Sequence, residues 1–249
     1  MFRVIGPDEI EITENVDDLS CVPFGVIKVN CNHKQLKSFL GLPASVTTLY
    51  CSNNRITSFS GLPASVTTLD CSNNRITSFL GLPASVTTLD CWGNQITSFS
   101  GLPASVTTLY CQANRITSFS GLPASVTTLN CQFNQITSFI GLPDSVIFLD
   151  CRANPITSCQ YLPSNLKYIY IDALPEKGWY YFPFSVKTVN GSAELKTFHR
   201  LSLVKYSQKI WSDGENILKW LPFECLRKTE VLMYSGKNVN MVGQTLPCF

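Results

Sequence analysis

The residues with the most chemical potential in this chain are its eleven cysteines. Seven of them, Cys31, Cys51, Cys71, Cys91, Cys111, Cys131 and Cys151, recur every twenty residues. A thiol column of fixed period admits a ladder of disulfides, a chain of metal sites, or a stack of reduced thiols packed as small hydrophobes. If each cysteine occupies the same inward position on a strand, neighbouring thiols lie about 4.8 Å apart, close enough to bridge. Bridging also requires the Cβ vectors to turn toward one another, and side chains on adjacent parallel strands point the same way. No CxxC pair and no clustered histidine accompanies the column, so reduced thiols are favoured over the metal chain or disulfide ladder.

The remaining candidates for catalysis are sparse. His33 and His199 are far apart, and neither falls in an H-E-x-x-H or zinc spacing. There is no glycine-rich phosphate loop. Asp70 and Asp90 occupy the same place in successive copies, but no D-x-D-x-D loop surrounds them to hold calcium. Cys225 follows Glu224 in an otherwise unmarked stretch. The expectation is a protein without catalytic residues, metal or cofactor.

These residues are positioned by a repeat. The stretch VTTLYCSNNRITSFSGLPAS, starting at Val46, restarts at Val66, Val86, Val106, Val126 and Val146. Its apolar positions are Val46, Leu49, Cys51, Ile56, Phe59 and Leu62, with Asn54 between the cysteine and the isoleucine. The spacing V-x-x-L-x-C-x-x-N-x-I resembles the leucine-rich repeat. With Leu62-Pro63 ahead of the next valine, it is most similar to the short twenty-residue class of secreted bacterial effectors and to repeats of giant DNA viruses. The resemblance covers about two thirds of the chain. It implies a solenoid with a parallel β-sheet on one face, an asparagine where each strand ends, and a return segment. Function does not follow from it. Some effectors with similar repeats carry a cysteine-dependent ubiquitin ligase domain. Only about sixty residues follow the array here, and Leu226-Arg227 replace the Cys-x-Asp pattern of those ligases.

Within each unit the return half is too short for an ordinary helix, and Gly61-Leu62-Pro63 would break one. Extended, polyproline-like or 3₁₀ turns are therefore expected on the back. Phe59, Phe79, Phe99, Phe119 and Phe139 should stack into a spine, with Cys159 replacing the ring in the next copy. Asn54, Asn74, Asn94, Asn114, Asn134 and Asn154 should bond the backbone of adjacent rungs. Thr57, Ser58, Ser65 and Thr67 recur too faithfully to be individual catalytic groups, and backbone bonding in turns is their expected role.

The flanks divide the chain. Residues 1–25 read as a cap: Arg3-Val4-Ile5, a turn at Gly6-Pro7-Asp8, then Ile10 and Ile12, with Asn15 in phase for a shortened rung. Glu9, Glu11 and Glu14 should keep the exposed end wet. Residues 26–191 form the array, with the best copies over 46–165. Past Asn165 the period fades, although Leu166, Ile169 and Ile171, then Phe182 to Val189, keep the phase of two degenerate rungs. Residues 192–249 read as a small mixed cap with a helix between Leu195 and Leu226 and a last strand at Val231 to Tyr234.

Charge narrows the partner class. Charged residues make up 14% of the chain and the net charge is +2, a poor balance for neutralising phosphates, so no nucleic acid is expected. Residues 1–45 hold four basic and six acidic groups, 46–165 four and four, and 166–249 eleven and seven. The start lacks a basic lead and an apolar run, and no stretch approaches about eighteen consecutive apolar residues. No signal or membrane span is therefore expected, which points to the reducing cytosol of a host cell or to a virion.

Which positions differ between copies is more informative. The residue after the strand leucine runs Tyr50, Asp70, Asp90, Tyr110, Asn130, Asp150. Two further on it runs Ser52, Ser72, Trp92, Gln112, Gln132, Arg152, and the next column includes Phe133. After the asparagine stand Arg55, Arg75, Gln95, Arg115, Gln135 and Pro155. Since side chains alternate along a strand, this variation lies on the outward strand face and its edge. Aromatic groups interleaved with arginine and aspartate resemble a protein-binding surface, although drift at tolerant outward positions leaves the same pattern. The like charges of Asp70 and Asp90 need compensation from Arg55, Arg75 or a partner. The expected function is a non-enzymatic scaffold that binds another protein through this face. The alternative is a structural component of a large assembly such as a giant-virus particle.

Overall fold

The computed structural model describes residues 2–172, 183 and 185–189. The chain divides into two units, Met1–Ser202 and Leu203–Phe249. The second unit, the terminal helix and strand expected after residue 191, His199 and Cys225 lie outside the described residues. Among the described residues eleven strands form one sheet in strict sequence order. They are β1 (Phe2–Gly6), β2 (Glu9–Ile12), β3 (Lys28–Asn30), β4 (Thr48–Tyr50), β5 (Thr68–Asp70), β6 (Thr88–Asp90), β7 (Thr108–Tyr110), β8 (Thr128–Asn130), β9 (Phe148–Asp150), β10 (Tyr168–Tyr170) and β11 (Thr188–Val189). The hairpin β1–β2 is antiparallel and turns at Pro7-Asp8. From β2 onward every pair is parallel, as between β2 and β3 or between β10 and β11.

Period dictates register. Thr48, Leu49 and Tyr50 face Thr68, Leu69 and Asp70, which face Thr88, Leu89 and Asp90. Each residue therefore lies beside its counterpart twenty positions on, and every sequence column becomes a physical column. Two consecutive β-turns make the return instead of a helix or a 3₁₀ segment. Leu62 N–H donates to Phe59 O at 3.1 Å, and Val66 N–H to Pro63 O at 3.2 Å. Gly61 occupies the third position of the first turn with φ +85°, the conformation that makes a type II turn favour glycine. Among the described residues no helix is long and apolar enough to cross a membrane.

The interior is one continuous apolar column set. Val46, Leu49, Cys51, Ile56 and Phe59 have no exposed surface, and their equivalents stay buried through the array. The phenylalanine rings of Phe79, Phe99, Phe119 and Phe139 stack at centroid separations of 6.4, 6.4 and 6.1 Å, tilted by no more than 10°. Cys159 fills the next place in that spine and is fully buried. The seven-membered thiol column and Cys159 are buried and unbridged. Burial pushes these thiols up, Cys31 and Cys159 to about 12, so they stay protonated and behave as small hydrophobes. Some serve as weak donors across the rung, as Cys51 Sγ does to Asp70 O at 3.2 Å.

The asparagine ladder holds rungs together from within. Asn94 Nδ2 donates to Cys91 O of its own rung and to Cys71 O of the preceding one, both at 3.0 Å, while its Oδ1 accepts from Ile76 N–H at 2.9 Å. The pattern holds from Asn54 through Asn154. Asn54 Oδ1 accepts from both Lys34 N–H and Leu36 N–H. Lys34, standing where later rungs carry asparagine, thus takes part through its backbone only. Asn15 is exposed, while Ile10 and Ile12 are buried. The first rung therefore keeps its apolar contacts without an internal amide. The serine at Ser65 and the threonine at Thr67 bond backwards across rungs, to Val46 O at 2.6 Å and Thr47 O at 3.3 Å.

Candidate functional site

The outward strand column is set by the residue after each strand leucine. Aspartate or asparagine there serves the backbone first. Asp70 Oδ1 accepts from Ser72 N–H at 3.0 Å and from Ser72 Oγ at 2.7 Å. Asp90 Oδ1 accepts from Trp92 N–H at 3.0 Å, and Asn130 Oδ1 from Gln132 N–H at 3.3 Å. This is an Asx turn that leads the chain off the strand. Tyr50 and Tyr110 lack the group. At the rung of Tyr50, Asn32 Oδ1 from the preceding rung accepts Ser52 N–H instead, at 2.6 Å. At the rung of Tyr110, Gln112 Oε1 is buried without a hydrogen-bond partner.

Asp150 departs from the sequence expectation of an exposed contact residue. It is 4% exposed and clamped by Arg152, whose Nη2 and Nε lie at 2.7 and 3.0 Å, and by Gln132 Nε2 at 2.9 Å. A buried carboxylate must be paired, and Arg152 meets that need. The guanidinium also lies over the Tyr170 ring, 5.2 Å from its centroid. Ser52 and Ser72, expected to point outward, are likewise buried beside the turn.

Phe133 belongs to a second column, just past the strand. Asn53, Asn73, Gly93, Ala113, Phe133 and Ala153 all have φ between 49° and 67°, the left-handed region that favours glycine and asparagine. Phe133 holds this conformation at φ 52° with 62% of its surface exposed, and Trp92, one column earlier, is 43% exposed. Arg55, Arg75 and Arg115 are exposed at the edge. Among the described residues none of the three forms an ion pair, so Arg55 and Arg75 do not neutralise Asp70 or Asp90. Burial holds the Asp90 carboxyl above the ordinary carboxylate range, and the Asp70 charge adds to the shift. Elsewhere on the strands carboxylates are paired: Glu9 with Lys28 at 3.0 Å, Glu11 with Arg3, and Asp150 with Arg152. Lys28 also sits 5.4 Å from the Tyr50 ring centroid.

The structure sets two sequence-based candidates, Tyr110 and Asn130, beside residues absent from that set: with Thr127, Thr128, Ile147, Phe148 and Tyr168 they line an open groove of about 450 Å³ on the strand face. Phe148 and Tyr170 pack with ring centroids 5.7 Å apart. The signal lay one position before the strand leucine, where threonine in Thr48 to Thr128 gives way to Phe148 and Tyr168. Among the described residues no group of three or more histidine, cysteine, aspartate or glutamate side chains is placed to hold a metal ion.

Residues 44–84 and 64–104 match the family model of leucine-rich repeats, two copies each. Comparison with curated proteins gives no match. Solved structures share the fold. YopM from Yersinia enterocolitica superposes with a TM-score of 0.59 at 24% identity, over 73% of this chain and 41% of that one. A Shigella effector leucine-rich-repeat domain gives a TM-score of 0.50 at 25% identity, over 61% of this chain and 71% of that one. The chain thus spans less than half the length of the Yersinia protein.

Proposed function

Because the chain is a leucine-rich-repeat protein whose repeats resemble those of bacterial effectors, we propose that it is a non-enzymatic scaffold that binds another protein through its strand face. The observation carrying this is the contrast between columns. Inward positions are nearly invariant from copy to copy, whereas the strand face and its edge vary: Tyr110, Phe148 and Tyr168 line an open groove, and Trp92 and Phe133 are exposed. Solenoids use such extended faces for recognition, and exposed aromatic residues at the centre of a patch supply most binding energy. A reducing compartment is part of the proposal, supported by thiols buried without bridges. So is the division into a cap over 1–25, an array over 26–191 and a cap over 192–249.

The test uses photo-reactive side chains placed singly at Trp92 and Phe133 on the strand face, and at Ser98 and Ser118 on the exposed return, in native host material. Adducts with one protein from the first pair alone are expected. Adducts from the return alone would refute the strand-face reading and favour a building block packed by its back within a large assembly.

A further inference from the structure

We propose that the strand face selects a partner segment with a lysine or arginine seated over Asp70 and Asp90 and an apolar side chain in the groove between Tyr110 and Tyr168; this deepens, and rests on, the strand-face reading above. The strands carry five carboxylates, Glu9, Glu11, Asp70, Asp90 and Asp150. Three have a basic partner within the chain. Asp70 and Asp90 form no ion pair among the described residues, although they are in register on neighbouring strands.

Two adjacent like charges are unfavourable, and among the described residues no cation pairs with either of them. Each uses one oxygen, Oδ1, for its Asx turn, and among the described residues no hydrogen bond is made to either Oδ2. A cation placed between the two carboxylates would relieve repulsion and gain charge-assisted hydrogen bonds at once. Trp92, two residues after Asp90 on the same rung and 43% exposed, is an aromatic group of the kind over which the stem of an arginine or lysine packs.

The groove supplies the second determinant. Ile147, Phe148, Tyr168 and Tyr110 give it an apolar lining, fit for an aliphatic or aromatic side chain and not for a charge. Its centre lies about three rungs from the Asp70–Asp90 pair, or roughly 14 Å at the spacing of neighbouring strands. An extended chain crossing the rungs covers that distance in about four residues. The favoured segment therefore has a basic residue and an apolar residue about four positions apart.

Selection of displayed random peptides on the whole chain tests this. The key variant is Asp70→Asn with Asp90→Asn, which removes charge while keeping the turn, since Asn130 makes the same bond in this chain. Peptides enriched on the parent should carry the basic and apolar pair at that spacing. Their affinity should fall about ten-fold on the double variant and weaken with added salt. A second control, Phe148→Glu, should abolish binding by filling the groove with charge. Peptides lost on Phe148→Glu but showing no basic bias, or binding the Asp-to-Asn variant undiminished, would overturn the cation seat while leaving the strand face intact. Peptides that bind Phe148→Glu as well as the parent, or no enrichment at all, would overturn both.

Discussion

Removing the Asn94 amide by Asn94→Ala should destabilise the array by an amount that can be worked out bond by bond. The side chain is 7% exposed, so water does not replace what it loses. Cys71 O keeps a donor from Asn74 Nδ2 at 3.0 Å, and Cys91 O keeps one from Asn114 Nδ2 at 3.0 Å. Ile76 N–H, which donated to Asn94 Oδ1 at 2.9 Å, is left with no acceptor. One orphaned buried donor costs about 1–3 kcal/mol, and the weakened carbonyl contacts bring the total to about 2–3 kcal/mol. For a body of this size that lowers the melting temperature by about 5–10 °C. Thermal melts followed by circular dichroism measure it, with Thr97→Ala, an exposed change on the same rung, as control. The shared carbonyl makes a sharper demand. Adding Asn114→Ala strips Cys91 O of both amide donors, so the double variant should lose more than the sum of the singles by about 0.5 kcal/mol or more. Asn134 bonds Cys111 O and Cys131 O instead, so Asn94→Ala with Asn134→Ala should be additive. A single variant melting with the parent, or coupling as strong in the Asn134 pair as in the Asn114 pair, would refute the ladder.

Asp90→Asn should raise the melting temperature at neutral pH. Burial lifts the folded-state pKa of Asp90 above its ordinary value of 3.8, so the ionised form burdens the fold increasingly as pH rises through that value. The gain should vanish below the ordinary carboxylate pKa, and an equal gain in acid would show another cause. In a chain carrying Cys225→Ser and Cys248→Ser, a thiol reagent should label exposed Cys21 promptly and Cys31 to Cys159 only on unfolding; prompt labelling of a second thiol would contradict the buried column. Ala113→Gly should stabilise by about 0.5–1 kcal/mol by relieving a left-handed residue at φ 49°, read from denaturant midpoints, and an unchanged or lower midpoint would count against strain at that column.

Much of the solenoid was legible because a strict period converts sequence columns into spatial ones. Cys51, Asn54 and Phe59 each report one fixed environment again and again along the array, and inward thiols, ladder amides and stacked rings are the only arrangement that suits all three. The strand face was harder to read. Asp70, Asp90 and Asn130 looked like contact residues, yet each first caps the turn after its own strand. That dual use is invisible where Tyr50 and Tyr110 share the column. Asp150 resembled its column mates, but burial against Arg152 takes it out of the surface. The groove-forming Phe148 and Tyr168 break a column of threonines just before the strand leucine, and two late aromatic substitutions in an otherwise constant column carry little signal in sequence alone. Asn53, Asn73 and Gly93 carry the signature of a left-handed turn, a cue that fixes the backbone on which Phe133 is exposed.

Pairing without offset has a consequence for how this molecule changes length. Excising residues 66–85 would join Ser65 to Val86, a junction with the same neighbours as the one it replaces, and inserting a copy would do the reverse. Each such event shortens or extends the strand face by about 4.8 Å without disturbing the interior, so genes of this kind can resize their product in whole steps through recombination between near-identical segments.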